Sequence, residues 1–249
     1  MRTAGGQHLA VTEPQDGVGR YRTARMEAFS DGVFAIAITL LVLEIGVPSG
    51  SDADLLGALA DQWPSYLAYL VSFSTIGAIW FKHTVITDYL AHSTSALIRL
   101  NLLLLLVVSF LPFPTRLLAE YIGESDPARV AATVYGINLL LASTLVAVVW
   151  RYAVHARLVR PGIADQAVRA LTTQLTPSIA GYVVMIFLGL FFPVVAVLGY
   201  LAIAVLIIVP LGALRRSGPP PDRPTHGSRP DPPLSGDWRD ELEASNVVL

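Results

Sequence analysis

The sequence from Leu100 to Pro114 reads LNLLLLLVVSFLPFP, a run with one amide side chain and no charge. An α-helix rises about 1.5 Å per residue, and the hydrocarbon core of a bilayer is about 30 Å thick, so about twenty apolar residues span it. Transmembrane strands would instead alternate apolar and polar residues over about ten positions. The run therefore predicts a membrane-spanning helix, from about Ala96 to Leu118, with kinks at Pro112 and Pro114.

Five more apolar runs of similar length accompany this one. The six predicted transmembrane helices cover about 29–47, 64–81, 96–118, 128–150, 171–192 and 193–214. Because almost nothing separates the last two, Phe192 and Pro193 are predicted to form a tight reversal. The pattern indicates an all-α, polytopic membrane protein with six transmembrane helices.

The composition agrees with this fold class and excludes several others. Charged residues make up 14% of the 249 residues, against about 25% in average globular domains, and the mean hydropathy is +0.57. The chain has no cysteine, which excludes disulfide staples, thiolate metal sites and a cysteine nucleophile. The net charge of -2 gives no support for nucleic-acid binding.

The polar ends and the basic residues predict the domain organisation. Residues 1–19 are expected to form a flexible N-terminal arm, residues 20–216 the six-helix membrane domain, and residues 217–249 a disordered, Pro-rich cytoplasmic tail. If both termini lie on one side, that side holds 15 of the 17 Lys and Arg residues, Lys82 among them in the second connection. Basic residues favour the cytoplasmic face, so both termini are predicted to be cytoplasmic, in the cell membrane.

Polar residues inside spanning helices are costly, and the first helix concentrates them in RMEAFSDGVFAIAITLLVLEI, from Arg25 to Ile45. Ser30 and Asp31 have two possible roles: to cap the helix that follows, or to join a polar network between helices. The partners for such a network are Trp80 and His83, three residues apart at the end of the second helix, and Asn101 at the start of the third. Trp80 and His83 could equally be an interfacial aromatic residue and a solvated histidine.

A stripe follows farther along the first helix. Ile36, Thr39 and Leu43 are spaced i, i+3, i+7 and share one face. In a symmetric pore Ile36 would form an apolar ring that closes by dewetting, Thr39 a ring of hydroxyls, and Glu44 would lie at the outer mouth. The simpler interpretation is ordinary helix packing, with the Thr39 hydroxyl bonded to its own backbone.

The familiar enzyme motifs are absent from the sequence. It contains no HExxH, GxGxxG or GxxxxGK[ST] pattern and no paired intramembrane aspartates. The chain is therefore expected to be no enzyme, with no cofactor and no bound metal site. A broken-helix ion site at the prolines of the third helix or at Pro177 remains a further possibility.

The first-helix sequence resembles the signature of the transmembrane protein 175 family of potassium channels. The resemblance rests on Arg25, then Phe29-Ser30-Asp31, then Thr39 and Glu44, and it continues in Trp80, His83, Asn101 and the stretch FLPFPTRLLAEY. Like that family, the chain lacks a TVGYG filter.

The resemblance implies a pore formed by oligomerisation and lined by the first helices. With one six-helix unit per chain, it implies a homotetramer. It also implies an apolar constriction at Ile36, a transient potassium ion near the threonine layer of Thr39, and Leu43 as the next apolar position. A structural polar network away from the pore is implied for seven residues: Arg25, Phe29, Ser30, Asp31, Trp80, His83 and Asn101.

The function expected from the sequence is passive potassium conduction through this pore. One alternative is a secondary cation transporter coupled to protons through Asp31 or His83. Another is a membrane scaffold or enzyme subunit whose Pro-rich tail binds a partner.

Overall fold

The computed structural model describes residues 23–46 and 54–216, without the side chains of Ser125 and residues 210–216. The predicted N-terminal arm and Pro-rich tail lie outside these residues. The helices are α1 (Thr23–Leu40, continued by a 3-10 turn, Leu41–Glu44), α2 (Leu55–Asp61), α3 (Trp63–Tyr89), α4 (Ser95–Ser109), α5 (Pro112–Tyr121), α6 (Ser125–His155), α7 (Asp165–Gly189) and α8 (Pro193–Arg216). Within the described ranges there is no strand, only an isolated antiparallel bridge between Leu90 and Val159. The all-α prediction is therefore confirmed.

In the compact unit that ends at Gly212, the core is built around α6, which packs against α3, α4, α5 and α7. Helix α1 packs on α3 and α4. Small residues allow this close packing. A Cβ on Gly136 would collide with the Tyr200 hydroxyl and the Ile186 side chain. Because apolar side chains gain little by leaving lipid for protein, membrane helices rely on such close approach for their packing energy.

The third predicted helix is interrupted where its prolines lie. Helix α4 ends at Ser109 and α5 begins at Pro112, with two turn residues between them. Pro112 and Pro114 have no N–H to donate, so the helical bonds to the carbonyls of Val108 and Phe110 cannot form. Those carbonyls instead accept from the amides of Leu111 and Phe113, at 3.1 Å each. At Pro177, by contrast, α7 remains one continuous helix.

Three sequence-based boundaries are wrong. Helix α1 begins by Thr23, a full turn and more before Phe29, so Ser30 and Asp31 lie inside the helix and cannot cap it. Helix α3 continues eight residues past Phe81, because the Ile86 and Thr87 side chains that follow are buried in the core. Lys82, assigned to a connection from its charge, therefore lies within α3. Helix α7 begins at Asp165, six residues before its apolar run.

A short helix that the sequence did not predict precedes α3. Asp54 begins it as an N-cap, and its Oδ1 accepts a hydrogen bond of 2.9 Å from the Gly57 amide. This element lies in the predicted outer connection between the first two spans.

The connection that follows α3 contacts the connection that follows α6, at the end of these helices away from α2. The amide of Ala91 donates to the Leu158 carbonyl at 2.8 Å, and Arg160 Nε donates to the Leu90 carbonyl at 3.0 Å. The α3–α4 and α6–α7 connections therefore share one end of the bundle, as expected for helices that alternate in direction.

Four described segments are long and apolar enough to cross a bilayer: Thr23–Glu44, Ser95–Tyr121, Asp126–His155 and Asp165–Gly189. The stretch Pro193–Val209 is apolar but shorter. Helix α3 has 27 residues but is not among these four. The count of six spans therefore stays a prediction for α3 and α8.

Candidate functional site

Helix α1 has two faces of different character. One face is buried against α3 and α4, and its residues recur every three or four positions: Met26, Ser30, Phe34, Ala37 and Leu41. The opposite face is left uncovered by the rest of the described chain and includes Gly32, Ile36, Thr39 and Leu43. This split arises because the apolar sequence of α1 supplies two stripes at helical spacing, and only one of them packs against another described helix.

The buried face of α1 carries a chain of hydrogen bonds into α4 and α3. The Ser30 hydroxyl donates to the Met26 carbonyl at 2.8 Å and accepts from Asn101 Nδ2 at 2.9 Å. Asn101 Oδ1 lies 2.8 Å from His83 Nε2. An amide oxygen can only accept, so the proton must be on Nε2 of His83.

The tautomer of His83 leaves its second nitrogen as an acceptor. Nδ1 is buried and has no partner among the described residues, and the ring lies at a tilt 5.5 Å from the Phe34 ring. The hydrogen bonds of this series are all donated in the same direction: from α3 to α4, from α4 to the Ser30 hydroxyl, and from that hydroxyl to the α1 backbone.

A second hydrogen bond joins α1 to α3 at Asp31, the residue that follows Ser30. Trp80 Nε1 donates to Asp31 Oδ1 at 2.8 Å. Both side chains lie nearer the surface than Ser30 or His83, and 40% of Trp80 is exposed. We refer to Ser30, Asp31, Trp80, His83 and Asn101 together as the polar cluster.

Two residues that the resemblance assigned to the network do not join the polar cluster. Arg25 is exposed and makes no side-chain hydrogen bond or ion pair with any described residue. Phe29 is 56% exposed and lies on the uncovered side of α1. The structure therefore brings together five of the seven predicted members.

The three residues of the predicted stripe all lie on the uncovered face. The exposed fraction is 59% for Ile36 and 73% for Leu43. Thr39 is exposed too, and its hydroxyl donates to the Ile36 carbonyl at 2.9 Å. Because the proton of Thr39 is committed to the helix, the free lone pairs of its oxygen are available to a ligand.

The far end of α1 is an acidic region. Glu44 lies 4.0 Å from Arg116; the Arg116 side chain is exposed and that of Glu44 is partly buried, so water still weakens this long ion pair. A cavity of about 510 Å³ adjoins this pair, and its lining includes the carboxylates of Glu44, Asp61 and Glu120. No group of three or more His, Asp or Glu side chains in the described ranges is arranged to hold a metal ion.

The sequence reasoning missed the position of Lys82, the single lysine of the chain. Its side chain is buried between helices, and Nζ donates to Ser178 Oγ of α7 at 2.9 Å. The available signal was the placement of one cation in the otherwise uncharged stretch TIGAIWFKHTVIT, which is too apolar for a solvated loop.

Comparisons with known proteins agree on one family. The family profile described as "Endosomal/lysosomal potassium channel TMEM175" matches residues 25–112. A protein of Streptomyces collinus named as a potassium channel is 44% identical over 162 residues, which are 64% of this chain and 79% of the relative. A Gallus gallus relative named as an endosomal/lysosomal proton channel is 37% identical over 143 residues, covering 53% of this chain and 28% of that protein.

A solved structure resembles the fold. The crystal structure of a lysosomal potassium-selective channel TMEM175 homolog from Chamaesiphon minutus aligns with a TM-score of 0.68 at 39% identity. The alignment covers 79% of this chain and 98% of that one.

Proposed function

The chain belongs to the TMEM175 family of ion channels, and we propose that it conducts potassium passively through a pore lined by α1. Ion conduction, rather than catalysis, is the activity that its relatives are named for. The observation that carries the proposal is the division of α1 into a bonded face and an uncovered face. A pore-lining helix needs both, since one side must be fixed to the bundle while the other faces the ion path.

The uncovered face supplies the groups that a cation pore requires. Ile36 would form an apolar ring, and such a ring can close a pathway by excluding water. One turn away, Thr39 would present hydroxyl oxygens whose protons are already bonded to the helix. Lone pairs of this kind can replace part of the hydration shell of a potassium ion. Leu43 would be the next apolar ring along the path.

The polar cluster would hold α1 in register while ions pass. It connects α1 to α3 through Asp31 and Trp80, and to α4 through Ser30 and Asn101. Hydrogen bonds between membrane helices are modest one at a time, about 0.6 kcal/mol on average, so several in series are needed to fix one helix. We assign the cluster this positioning role, away from the conduction axis.

One chain cannot enclose a pore with this face, so we propose a homotetramer in which four copies of α1 surround the axis. Such an assembly would turn the face that α1 leaves uncovered away from lipid and toward the axis. At the outer end, Glu44, Asp61 and Glu120 would raise the local concentration of cations. We place the assembly in the cell membrane, with both termini in the cytoplasm.

A flux assay tests the role of Ile36. Full-length protein in potassium-loaded liposomes should release potassium without valinomycin, and Ile36→Asn should release it faster, because an amide ring holds water in the constriction. Ile137→Asn is the matched control, since Ile137 is also about half exposed but lies on α6. Absence of flux from the wild type would overturn the channel function, and equal flux in all three proteins would remove Ile36 as the constriction.

Proton movement is the second function to consider, because vertebrate relatives are named as proton channels. Applying a pH gradient to the same liposomes distinguishes a potassium channel from a proton-coupled transporter. A channel lets potassium run only down its own gradient, whereas a transporter working through Asp31 or His83 would drive potassium uphill when protons flow.

A scaffold function would depend on the Pro-rich tail. Deleting residues 217–249 should leave potassium flux unchanged if the membrane domain is sufficient. Loss of flux on deletion would support the scaffold alternative.

The orientation can be measured because the natural chain has no cysteine. A single cysteine at Glu124 should react with an impermeant maleimide from outside intact cells, and one at Arg157 should not. The reverse pattern would place the termini outside.

A further inference from the structure

Lys82 is an unusual residue in this chain. All other basic residues except the histidines are arginines, sixteen in number, and this one lysine lies inside α3 with 4% of its surface exposed. It takes no part in the polar cluster, although His83 beside it does. Ammonium groups in membrane helices are costly unless an acceptor or a polar surface is within reach.

The protein gives Lys82 one neutral acceptor. Ser178 Oγ accepts from Nζ at 2.9 Å, while the serine proton is donated to the Leu175 carbonyl at 2.9 Å. No carboxylate in the described ranges lies within 4.0 Å of Nζ. An ammonium has three donors, so the serine does not satisfy the charge or the full donor set.

A cavity of about 250 Å³ lies beside the lysine, partly enclosed between α3, α7 and α8. Its polar lining is Lys82, Gln174 and Ser178, of which the Lys82 ammonium and the Gln174 amide can donate to a ligand. The remaining lining is apolar and comes chiefly from Ile203, Leu206 and Ile207 of α8. The cavity therefore has a donor-rich head and an aliphatic flank.

The depth of the cavity suits the edge of a bilayer. Lys82 is seven residues, or about 10 Å, from the end of α3. Helix α3 has 27 residues and is about 40 Å long, so if it spans the roughly 30 Å of hydrocarbon as the sequence predicts, it is long enough for its last turns to reach the headgroup layer. A lysine side chain bridges the remaining distance readily.

We propose that this cavity binds the anionic headgroup of a membrane lipid, with a phosphate oxygen on Lys82 and an acyl chain along α8. A free anion would satisfy the lysine but would leave the aliphatic flank uncovered, whereas a lipid fills both parts. The site is independent of the pore face of α1, because no residue of α1 lines it.

Competitive lipid binding tests the proposal. Full-length protein in detergent is titrated with equal amounts of phosphatidylglycerol and phosphatidylcholine, and the bound lipids are counted by native mass spectrometry. Wild type and Lys82→Arg should prefer phosphatidylglycerol. Lys82→Gln should lose about tenfold in that preference, since charge-assisted hydrogen bonds are about twice as strong as neutral ones.

Arg99→Gln is the control, because it removes an exposed cation from α4 and should not change the preference. An unchanged preference in Lys82→Gln would overturn the proposal, as would displacement of the lipid by inorganic phosphate at equal concentration.

A second measurement needs no substitution. Because the chain has one lysine, ¹⁵N-lysine labelling gives one side-chain ammonium signal. In phosphatidylglycerol proteoliposomes without free phosphate, solid-state NMR should show dephasing of this signal by lipid ³¹P. Lack of dephasing would overturn the lipid site even if Lys82→Gln failed to fold, and would leave Lys82 as a simple link between α3 and α7.

Discussion

Replacing Asn101 with leucine should destabilise the membrane domain through the polar cluster. Asn101 accepts from His83 Nε2 and donates to Ser30 Oγ, so the change removes both bonds at once. Ser30 keeps its bond to the Met26 carbonyl, whereas His83 keeps nothing, because its Nδ1 already has no partner among the described residues.

The cost can be worked from these contacts. An unsatisfied buried donor costs about 1–3 kcal/mol, here at His83 Nε2. The lost bond to Ser30 adds about 0.6 kcal/mol, the average for hydrogen bonds between membrane helices. The sum is about 1.6–3.6 kcal/mol, which for a domain of this size lowers the melting temperature by roughly 3–14 °C.

The assay is thermal unfolding of the purified protein in one detergent, with Asn138→Leu as the control. Asn138 is also buried, but its one side-chain hydrogen bond to a described residue, the Val107 carbonyl, is long at 3.3 Å, and its Oδ1 has no partner among those residues. Leucine there removes an orphan acceptor and should change stability by less than about 1 kcal/mol. If the two variants have the same melting temperature, the polar cluster does not fix α1.

Two further predictions concern helix packing and the pore face. Gly136→Ala should destabilise the protein by about 1–3 kcal/mol, because the new Cβ meets the Tyr200 hydroxyl. The control is Gly77→Ala in α3, where no atom lies within 4 Å of the new Cβ, so this variant should be neutral or stabilised by up to about 1 kcal/mol. Equal melting temperatures for the Gly136→Ala and Gly77→Ala variants would contradict the close packing at Gly136. Thr39→Cys should make potassium flux sensitive to a cationic methanethiosulfonate reagent, while the cysteine-free wild type stays insensitive. Full flux from the treated variant would place Thr39 away from the ion path.

The ends of the helices were the least predictable part of the fold. The predicted second span ended at Phe81 and left Lys82 to the following connection, yet α3 runs to Tyr89. Helix boundaries depend on what the neighbouring helices bury, and hydropathy along one chain does not record this. The interruption at Pro112 was predictable, because a missing N–H is a property of the residue itself.

The candidate site, too, was predictable from the sequence only in part. Spacing alone put Ile36, Thr39 and Leu43 on one face of the first helix, since helical periodicity is local. It left open whether that face was packed or uncovered. Within residues 23–46 and 54–216 the structure leaves it uncovered, because α3 and α4 both lie against the opposite stripe.

The sequence by itself determined an all-α membrane protein and a disturbance of the third helix at its prolines, and it supplied the residues of the polar cluster as candidates. These depend on apolar length, missing donors and the scarcity of polar groups in the helices. Only the tertiary structure decided which of those groups bond to one another, why Arg25 and Phe29 do not, and that Lys82 lies beside a cavity between α3 and α7. Hydrogen bonds and cavities join residues far apart in the chain, and their partners are chosen by how whole helices pack.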